Sequence, residues 1–346
     1  MDLSRYRDKA YLVTYELTTD IFELYDIKVD DIVPIRSVYI LYTDKGVKVL
    51  KKINYSLQEL EFTNSVTEHL LDKGYSNIVT YMNTTDGRYY VKKSDGIYVV
   101  LNLIKSREAD YQNPSDVSNV SRELCIFHKF TRGMKGIMEK RNNLFKWIPD
   151  FEKRACDLLK FKEIAQLHEI KTEFDKLYLE NVVRYLNQAS QSIELLKSSK
   201  YEELCKETEE INNICHHNLA HHNVMIDDCN KVYFSDFDNC IKDLRIHDVA
   251  NIMVKAIKYF NWDVNTAQSI LENYSSIDAL RKEEVEVLYG FLTFPQDFYE
   301  ISMQYYMKTK RWDEEDFLSR LVRKAGYYED RLNFLEYIKS KVKTGI

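Results

Sequence analysis

The run Cys215-His216-His217-Asn218-Leu219-Ala220-His221-His222-Asn223-Val224-Met225-Ile226 is followed, after Asp227-Asp228-Cys229-Asn230-Lys231, by Val232-Tyr233-Phe234-Ser235-Asp236-Phe237-Asp238. Two short β-type runs, 224–227 and 232–235, flank the turn 228–231, so the stretch reads as a loop, a hairpin and a second loop. A hairpin sets its open ends side by side, which brings Asn223 and Asp236 together. Both carry side-chain oxygens of the kind a hard divalent cation such as Mg²⁺ accepts.

Upstream of this stretch the texture is β, then helix, then β again. Residues 35–42 and 47–53 read as a hairpin around Thr43-Asp44-Lys45-Gly46. Ser56 and Glu59 form a capping box for a helix over 57–73, with Leu60, Val66, Leu70 and Leu71 as its apolar stripe and Gly74 at its end. Short strands follow at 78–82, 88–91 and 97–104, with turns at Asp86-Gly87 and Asp95-Gly96. A mixed apolar pattern over 11–25 predicts an N-terminal helix. Residues 1–104 therefore make a small β-rich lobe with one prominent helix.

Residues 105–346 read as a larger helical lobe carrying the loop 215–238. Asn113-Pro114 is an N-cap followed by a first-turn proline. Residues 131–150 look like an exposed basic connection. The spacing of Tyr178, Val182, Tyr185, Ala189, Ile193 and Leu196 gives a core-facing helical stripe within 151–210. From 247 to the end the pattern is helical and aromatic, with Tyr259, Phe260, Trp262, Tyr289, Phe291, Phe298, Tyr305 and Tyr306.

Composition removes several classes of function. The net charge of −6 is spread along the chain and offers no basic field for nucleic acid. The six cysteines include no C-x-x-C pair, so a disulfide framework or zinc ribbon is not indicated and a reducing compartment of synthesis is expected. The start of the chain lacks a charged-then-apolar signal pattern, and no apolar run approaches the roughly 18–20 residues of a membrane span.

His-x-Asn-x-x-x-x-Asn followed by Asp-Phe-Asp resembles the His-Arg-Asp-x-x-x-x-Asn and Asp-Phe-Gly order of kinase-type phosphotransferases. Such a site is mainly a device for placing charge, so each part has an expected position. Lys51, at the end of Val49-Leu50-Lys51, has the place of the phosphate-binding lysine. Glu68, on the following helix, is preferred to Glu61 as the carboxylate that holds it. Asn223 and Asp236 are the metal-ligand candidates. Asn218 occupies the position of the catalytic base, yet an amide accepts no proton at neutral pH. Asp227 or Asp238 is left as a stand-in for that base. The segment 32–41, which would arch over the phosphates, has no glycine to let backbone N–H groups approach closely.

Four of the eight histidines lie within 216–222. One reading joins them with Cys215 in a metal cluster. The other makes His216 a structural residue and His217, His221 and His222 partly exposed. Asp248, in Arg245-Ile246-His247-Asp248, either caps a helix or ties it to the loop of Asn218.

Over nearly the whole chain the residues resemble the CotS family of spore coat proteins, within the aminoglycoside phosphotransferase-like superfamily. The resemblance rests on Val49-Leu50-Lys51-Lys52-Ile53, Arg107-Glu108 with Asn113-Pro114, Phe161-Lys162, Lys171-Thr172-Glu173-Phe174-Asp175, the stretch 215–223, Phe237-Asp238, and the run from Asp243 to Asn251. It implies an α+β, bilobal protein-kinase-like (aminoglycoside phosphotransferase-like) fold with a small β-rich N-lobe and a large helical C-lobe. It further implies a nucleotide cleft with Leu101-Asn102-Leu103 as hinge, Leu101 and Leu103 contacting the base, and ATP and Mg²⁺ as the cofactors. Synthesis in the mother-cell cytoplasm, deposition in the spore coat and other coat proteins as partners follow from the same resemblance. Asn218 departs from the superfamily's His-x-Asp, so the expectation is a structural or interaction component with absent or reduced phosphotransferase activity. The alternative is an active ATP-dependent phosphotransferase acting on a small hydroxylated molecule or a coat protein. Nucleotide binding without transfer is a third reading.

Overall fold

The computed structural model describes residues 20–258 and 262–344. Helix α1 (Asp20–Leu24) leads into strands β1 (Val29–Ile35), β2 (Val38–Thr43) and β3 (Gly46–Ile53). Helix α2 (Leu57–Asp72) and strands β4 (Val91–Lys93), β5 (Gly96–Asn102) and β6 (Arg107–Glu108) follow. Next come helices α3 (Pro114–Thr131), α4 (Trp147–Leu167), α5 (Glu173–Ser198) and α6 (Tyr201–Ile211). Strands β7 (Ile214–Cys215), β8 (Val224–Ile226), β9 (Val232–Phe234) and β10 (Ile241–Lys242) frame the decisive stretch. The remainder is helical: α7 (Arg245–Ile257), α8 (Val264–Ser275), α9 (Lys282–Thr293), α10 (Gln296–Tyr306), α11 (Glu314–Gly326) and α12 (Tyr328–Thr344).

These residues form two compact units. The first comprises the described residues up to Asp110 together with Met134–Met138 and Asn218–Cys240; the second comprises Tyr111–Gly133, Glu139–His217 and the described residues from Ile241 onward. The division expected at 104/105 gave the whole loop 215–238 to the helical lobe. Its part from Asn218 onward belongs with the sheet-bearing unit instead, because β8 pairs antiparallel with β6 and the Phe234 carbonyl accepts from the Val79 N–H.

In the first unit an antiparallel sheet runs in the order β1-β2-β3-β5-β4. Period-2 alternation sends Leu50, Tyr98 and Val100 to one face, where Ile21, Phe22 and Tyr25 cover them, and sends Ile53 and Val99 to the other, where Leu60 of α2 packs. Helix α2 begins as expected: the Ser56 hydroxyl accepts from the Glu59 N–H, the Glu59 carboxylate accepts from the Ser56 N–H, and Gly74 past the end takes φ +85°. The β run read as 35–42 is broken after Ile35 by the turn Arg36-Ser37, with Arg36 at φ 53°. Strand β1 had no sequence signal because Asp30, Asp31 and Pro34 disfavour strands; as an edge strand it tolerates all three. Of the run 78–82, Ile78 and Tyr81 make single bridges only, and of 88–91 only Val91 joins the sheet. The N-terminal helix expected over 11–25 is seen as Asp20–Leu24, and residues 11–19 lie outside the described residues.

The second unit is built from α3 to α12 with the short β7–β10 ladder. Asn113 caps α3 by accepting from the Ser115 N–H, and Thr172 with Asp175 makes a capping box for α5. One core cluster stacks aromatic rings: Phe174 on Tyr305 at 3.7 Å and Tyr185 on Phe298 at 3.9 Å between centroids. On the predicted α5 stripe Tyr178, Val182, Tyr185, Ala189 and Leu196 are buried and Ile193 is half-buried. The connection 131–150 is less exposed than expected, since Leu144 and Trp147 are buried and α4 already begins at Trp147. Tyr259 and Phe260 of the aromatic helical pattern lie outside the described residues. Among the described residues no helix is long and apolar enough to cross a membrane.

Candidate active site

Lys51 stands on β3 between Val38 of β2 and Val99 of β5, on the strand face shared with Ile53. Its ammonium bonds Asp236 Oδ1 at 2.7 Å and Asp238 Oδ2 at 2.5 Å. Burial by itself would lower the pKa of this lysine; the carboxylates of Asp238 and Asp236 outweigh it and hold the pKa above the ordinary lysine value. The neighbouring Lys52 points to the opposite face, where it pairs with Asp95 at 2.7 Å beside the Tyr98 ring.

The expected Lys51–Glu68 pair is not formed. Glu68 is exposed and accepts from Asn64 Nδ2 at 2.8 Å. The reason is helical phase: the buried face of α2 carries Leu60, Thr63, Thr67 and Leu70, and Glu68 sits one step of about 100° away from it. Asp238 takes the role assigned to Glu68, and Tyr55 supports it by donating to Asp238 Oδ1 at 2.8 Å. The sequence pattern alone assigns neither residue to the lysine's setting. The Asp-x-Asp spacing 236–238 was the available signal, since a short helical turn at Phe237–Asn239 brings both carboxylates to one side.

The β8–β9 hairpin brings its open ends together as the sequence predicted. Val224 is opposite Phe234, and the Asn223 carbonyl accepts from both the Ser235 N–H and its hydroxyl. Asp236 then adopts φ 62°, ψ 63°, an uncommon conformation for a non-glycine residue, which aims its carboxylate at Lys51. Asn218 donates from Nδ2 to Asp236 Oδ2 at 3.4 Å, while Asn223 Nδ2 donates to the Asn218 carbonyl at 2.9 Å. The structure thus brings Lys51, Asn218, Asn223 and Asp236 into one connected group. Both stand-ins for the missing base are otherwise engaged: Asp238 holds Lys51 and Tyr55, and Asp227 accepts from the Cys229 and Lys231 N–H groups in the hairpin turn.

Leu101 and Leu103 flank an apolar cluster of Ile35, Ile40 and Val49. Within this unit the cavity beside Lys51 measures ≈ 20 Å³, lined by Tyr81, Leu101, Thr67 and Phe237. That is no more than about one water molecule's share of space. Burial and then the charge of Asp238 push the Tyr55 and Tyr81 phenols far above their usual pKa, so both stay protonated donors.

In the second unit, the residues just before Asn218 in the chain are anchored from α7. The Asp248 carboxylate accepts from the backbone N–H of His216 at 2.6 Å and of His217 at 2.8 Å, and from His128 Nε2 at 3.0 Å. His128 in turn accepts from the Tyr274 hydroxyl at Nδ1, 2.7 Å away. Burial keeps His128 neutral, and against the burial penalty the hydrogen bond from His128 holds Asp248 ionised, its pKa below the usual carboxylate range. Of the two roles considered for Asp248, the structure gives it the tie to the loop. His216 is fully buried, His217 and His222 half-buried and His221 exposed. The closest approach to a metal cluster among the described residues is His128, Cys215 and Asp248. Its donor atoms are already used, the Cys215 thiol by the Asp243 and Leu244 carbonyls. All six cysteines are free.

A small antiparallel sheet with one long helix, followed by a mostly helical remainder with a His-x-Asn loop and an Asp-Phe-Asp turn, defines a kinase-like protein of the aminoglycoside phosphotransferase fold. An aminoglycoside phosphotransferase from Alicyclobacillus acidocaldarius superposes with a TM-score of 0.86 at 19% identity, over 95% of this chain and 97% of that one. An amicoumacin kinase in complex with AMP-PNP and Ca²⁺ gives a TM-score of 0.60 at 13% identity, over 95% of each chain. The chain belongs to the family described as "Spore coat putative kinase YutH", whose model matches residues 18–338. Spore coat protein S of Bacillus subtilis (strain 168) is 23% identical over 89% of this chain and 88% of its own length.

Proposed function

We propose that this kinase-like spore coat protein serves as a structural or interaction component of the coat, with phosphotransferase activity absent or reduced. The observation that carries this reading is the double ion pair of Lys51 with Asp236 and Asp238. It sets the phosphate lysine against the metal-ligand aspartate, so that each occupies the other. Asn218 adds a second handicap, because loss of a positioned base costs typically ~10²–10⁴-fold in rate.

The fit of ATP and Mg²⁺ to these residues is partial. Asn223 keeps its side-chain oxygen available for a cation, and Asp236 lies beside it, so these two would hold the metal. Lys51 would have to leave two carboxylates to reach phosphate. The Arg36-Ser37 turn, paired through Arg36 to Glu108 at 3.3 Å, presents side chains where phosphate needs bare backbone. Leu101 and Leu103 offer an apolar surface for a base. Bound ATP would supply the transferable phosphoryl group, and the residues named here would orient it.

The retained Asn223–Asp236 pair, and the AMP-PNP in the amicoumacin kinase neighbour, favour the second reading: an ATP-dependent phosphotransferase acting on a small hydroxylated molecule or a coat protein. In both readings the protein is made in the mother-cell cytoplasm, goes to the coat, and has coat proteins as partners. The test is to supply purified protein with Mg-ATP or Mn-ATP and extracted coat proteins, and follow the γ-phosphate. The proposal expects transfer far below the ordinary enzymatic range of about 1–10³ s⁻¹, and a rate inside that range refutes it.

A further inference from the structure

Helix α4 packs into the aromatic cluster around Phe174 through Leu158, Phe161 and Ala165, which turns its opposite side to solvent. That side is not uniformly polar. Cys156, Glu163 and Leu167 follow one line at the i, i+7, i+11 spacing, and Leu159, Lys160 and Ile164 flank it. Leu159 is 47% exposed, Leu167 81%, and Ile170, in the turn just past the helix, 87%. Among the described residues twelve large apolar side chains are exposed, and four of them stand between 159 and 170. Scattered singly such residues are ordinary; gathered on one strip they mark a contact surface.

The strip stands on a fixed support. Lys171 Nζ donates to the Gln166 and His168 carbonyls at 3.3 and 3.2 Å, and His168 Nδ1 lies 2.8 Å from the buried Asp175 carboxylate. The end of α4 is thereby tied to the start of α5, and Leu167 and Ile170 are displayed on a closed turn.

The charges select what covers it. Between 152 and 169 the exposed charges nearly balance, Lys153 and Lys160 against Glu152, Glu163 and Glu169, so there is no basic excess of the kind an anionic lipid surface attracts. Instead the strip complements itself. Let a second α4 lie antiparallel across the first, with a two-fold axis level with the 161–162 peptide bond. Leu159 then meets Ile164 of the second copy, Cys156 meets its Leu167, and Lys160 meets its Glu163, each contact occurring twice. A parallel pairing would set lysine on lysine and glutamate on glutamate, so the charges also fix the direction. Within its own chain Lys160 makes only a loose contact, 3.6 Å from Asp157 Oδ1, and can turn to a partner at little cost.

We infer that two copies of this chain pair through the outward face of α4 as an antiparallel, two-fold dimer. The pairing uses none of the groups around Lys51, so its failure and the failure of the proposed function are separable.

Sedimentation equilibrium of the full chain, loaded from about 1 to 200 µM at pH 7, tests it. One helix face falls at or below the roughly 1,200 Å² of the smallest standard interfaces, so a dimer with a Kd of about 10–100 µM is expected. Leu167→Asp should be monomeric over the whole range with its thermal midpoint kept. Lys160→Glu and Glu163→Lys, each alone, oppose like charges across the axis and should weaken the dimer at least about tenfold. Mixed in equal amounts, the same two variants restore both ion pairs and should dimerise within about threefold of the natural chain. A natural chain still monomeric at about 200 µM, a dimer indifferent to Leu167→Asp, or a mixture no tighter than either variant alone would each overturn the inference.

Discussion

The side-chain amide of Asn218 donates to the carboxylate of Asp236 across 3.4 Å, at the position where a kinase-type loop presents a proton acceptor. An aspartate at 218 would set two carboxylates at that distance, a pairing that forces one to hold its proton or requires a cation between them. Asn218→Asp is therefore expected to lose about 1–2 kcal/mol of stability in chelator, with much of the loss recovered in millimolar Mg²⁺. Thermal midpoints with and without Mg²⁺ provide the check. A variant as stable as the parent and unmoved by Mg²⁺ would mean the two side chains do not face each other.

Lys51 bridges Asp236 and Asp238, so its removal leaves two half-buried carboxylates opposed. Lys51→Met should cost about 2–3 kcal/mol in urea unfolding, and adding Asp238→Asn should recover part of that. The lysine's pKa is raised on folding. Its contribution is thus fully present below the unfolded value near 10.4 and is lost as pH rises through the higher folded value. The stability difference between parent and Lys51→Met should narrow above about pH 10.5.

Asp248 holds the backbone ahead of Asn218 through two N–H groups and His128. Replacing the charge with an amide, Asp248→Asn, should cost about 2–4 kcal/mol. The folded pKa of this carboxyl is depressed. Its contribution is therefore present above the unfolded value near 3.9 and lost as pH falls below it. Acid unfolding curves should be steeper for the parent than for Asp248→Asn between about pH 4 and pH 2.

Lys255 runs the other way. Its pKa falls to about 8 on folding, so the folded state carries the cost of a partly desolvated cation at neutral pH. That cost shrinks as pH rises from about 8 toward the unfolded value near 10.4. Lys255→Met should stabilise by about 1–2 kcal/mol at pH 7, allowing for the screening of a half-buried group, and by less at pH 10. Denaturant midpoints at the two pH values decide it, and a destabilised variant at pH 7 would contradict the assignment.

What the sequence disclosed was local. The Ser56–Glu59 box, the Asn113-Pro114 start and the 224–234 hairpin each depend on residues a few positions apart, and each formed as read. Phase and long-range pairing were harder to see. Glu68 and Thr67 are adjacent in sequence, yet only Thr67 is buried toward the Lys51 cavity, a choice made by how α2 rolls on the sheet. Strand β1 was hidden because Asp30, Asp31 and Pro34 are tolerated only at an edge, and no local signal announces an edge. Asp243 and His247 were present at an i, i+4 spacing, but their meaning depends on Trp147 and Asn143, about a hundred residues earlier.

The central claim is that the centre around Asn218 and Lys51 no longer moves phosphate efficiently. The most direct measurement is ATP turnover of the natural protein and of Asn218→Asp, side by side, in Mg²⁺ and in Mn²⁺. With Lys51 held by two carboxylates and no glycine in the Arg36 turn, the account predicts turnover below about 10⁻³ s⁻¹ for the natural protein and at most about a tenfold gain for the variant. Turnover near about 1 s⁻¹ by the natural protein would contradict it.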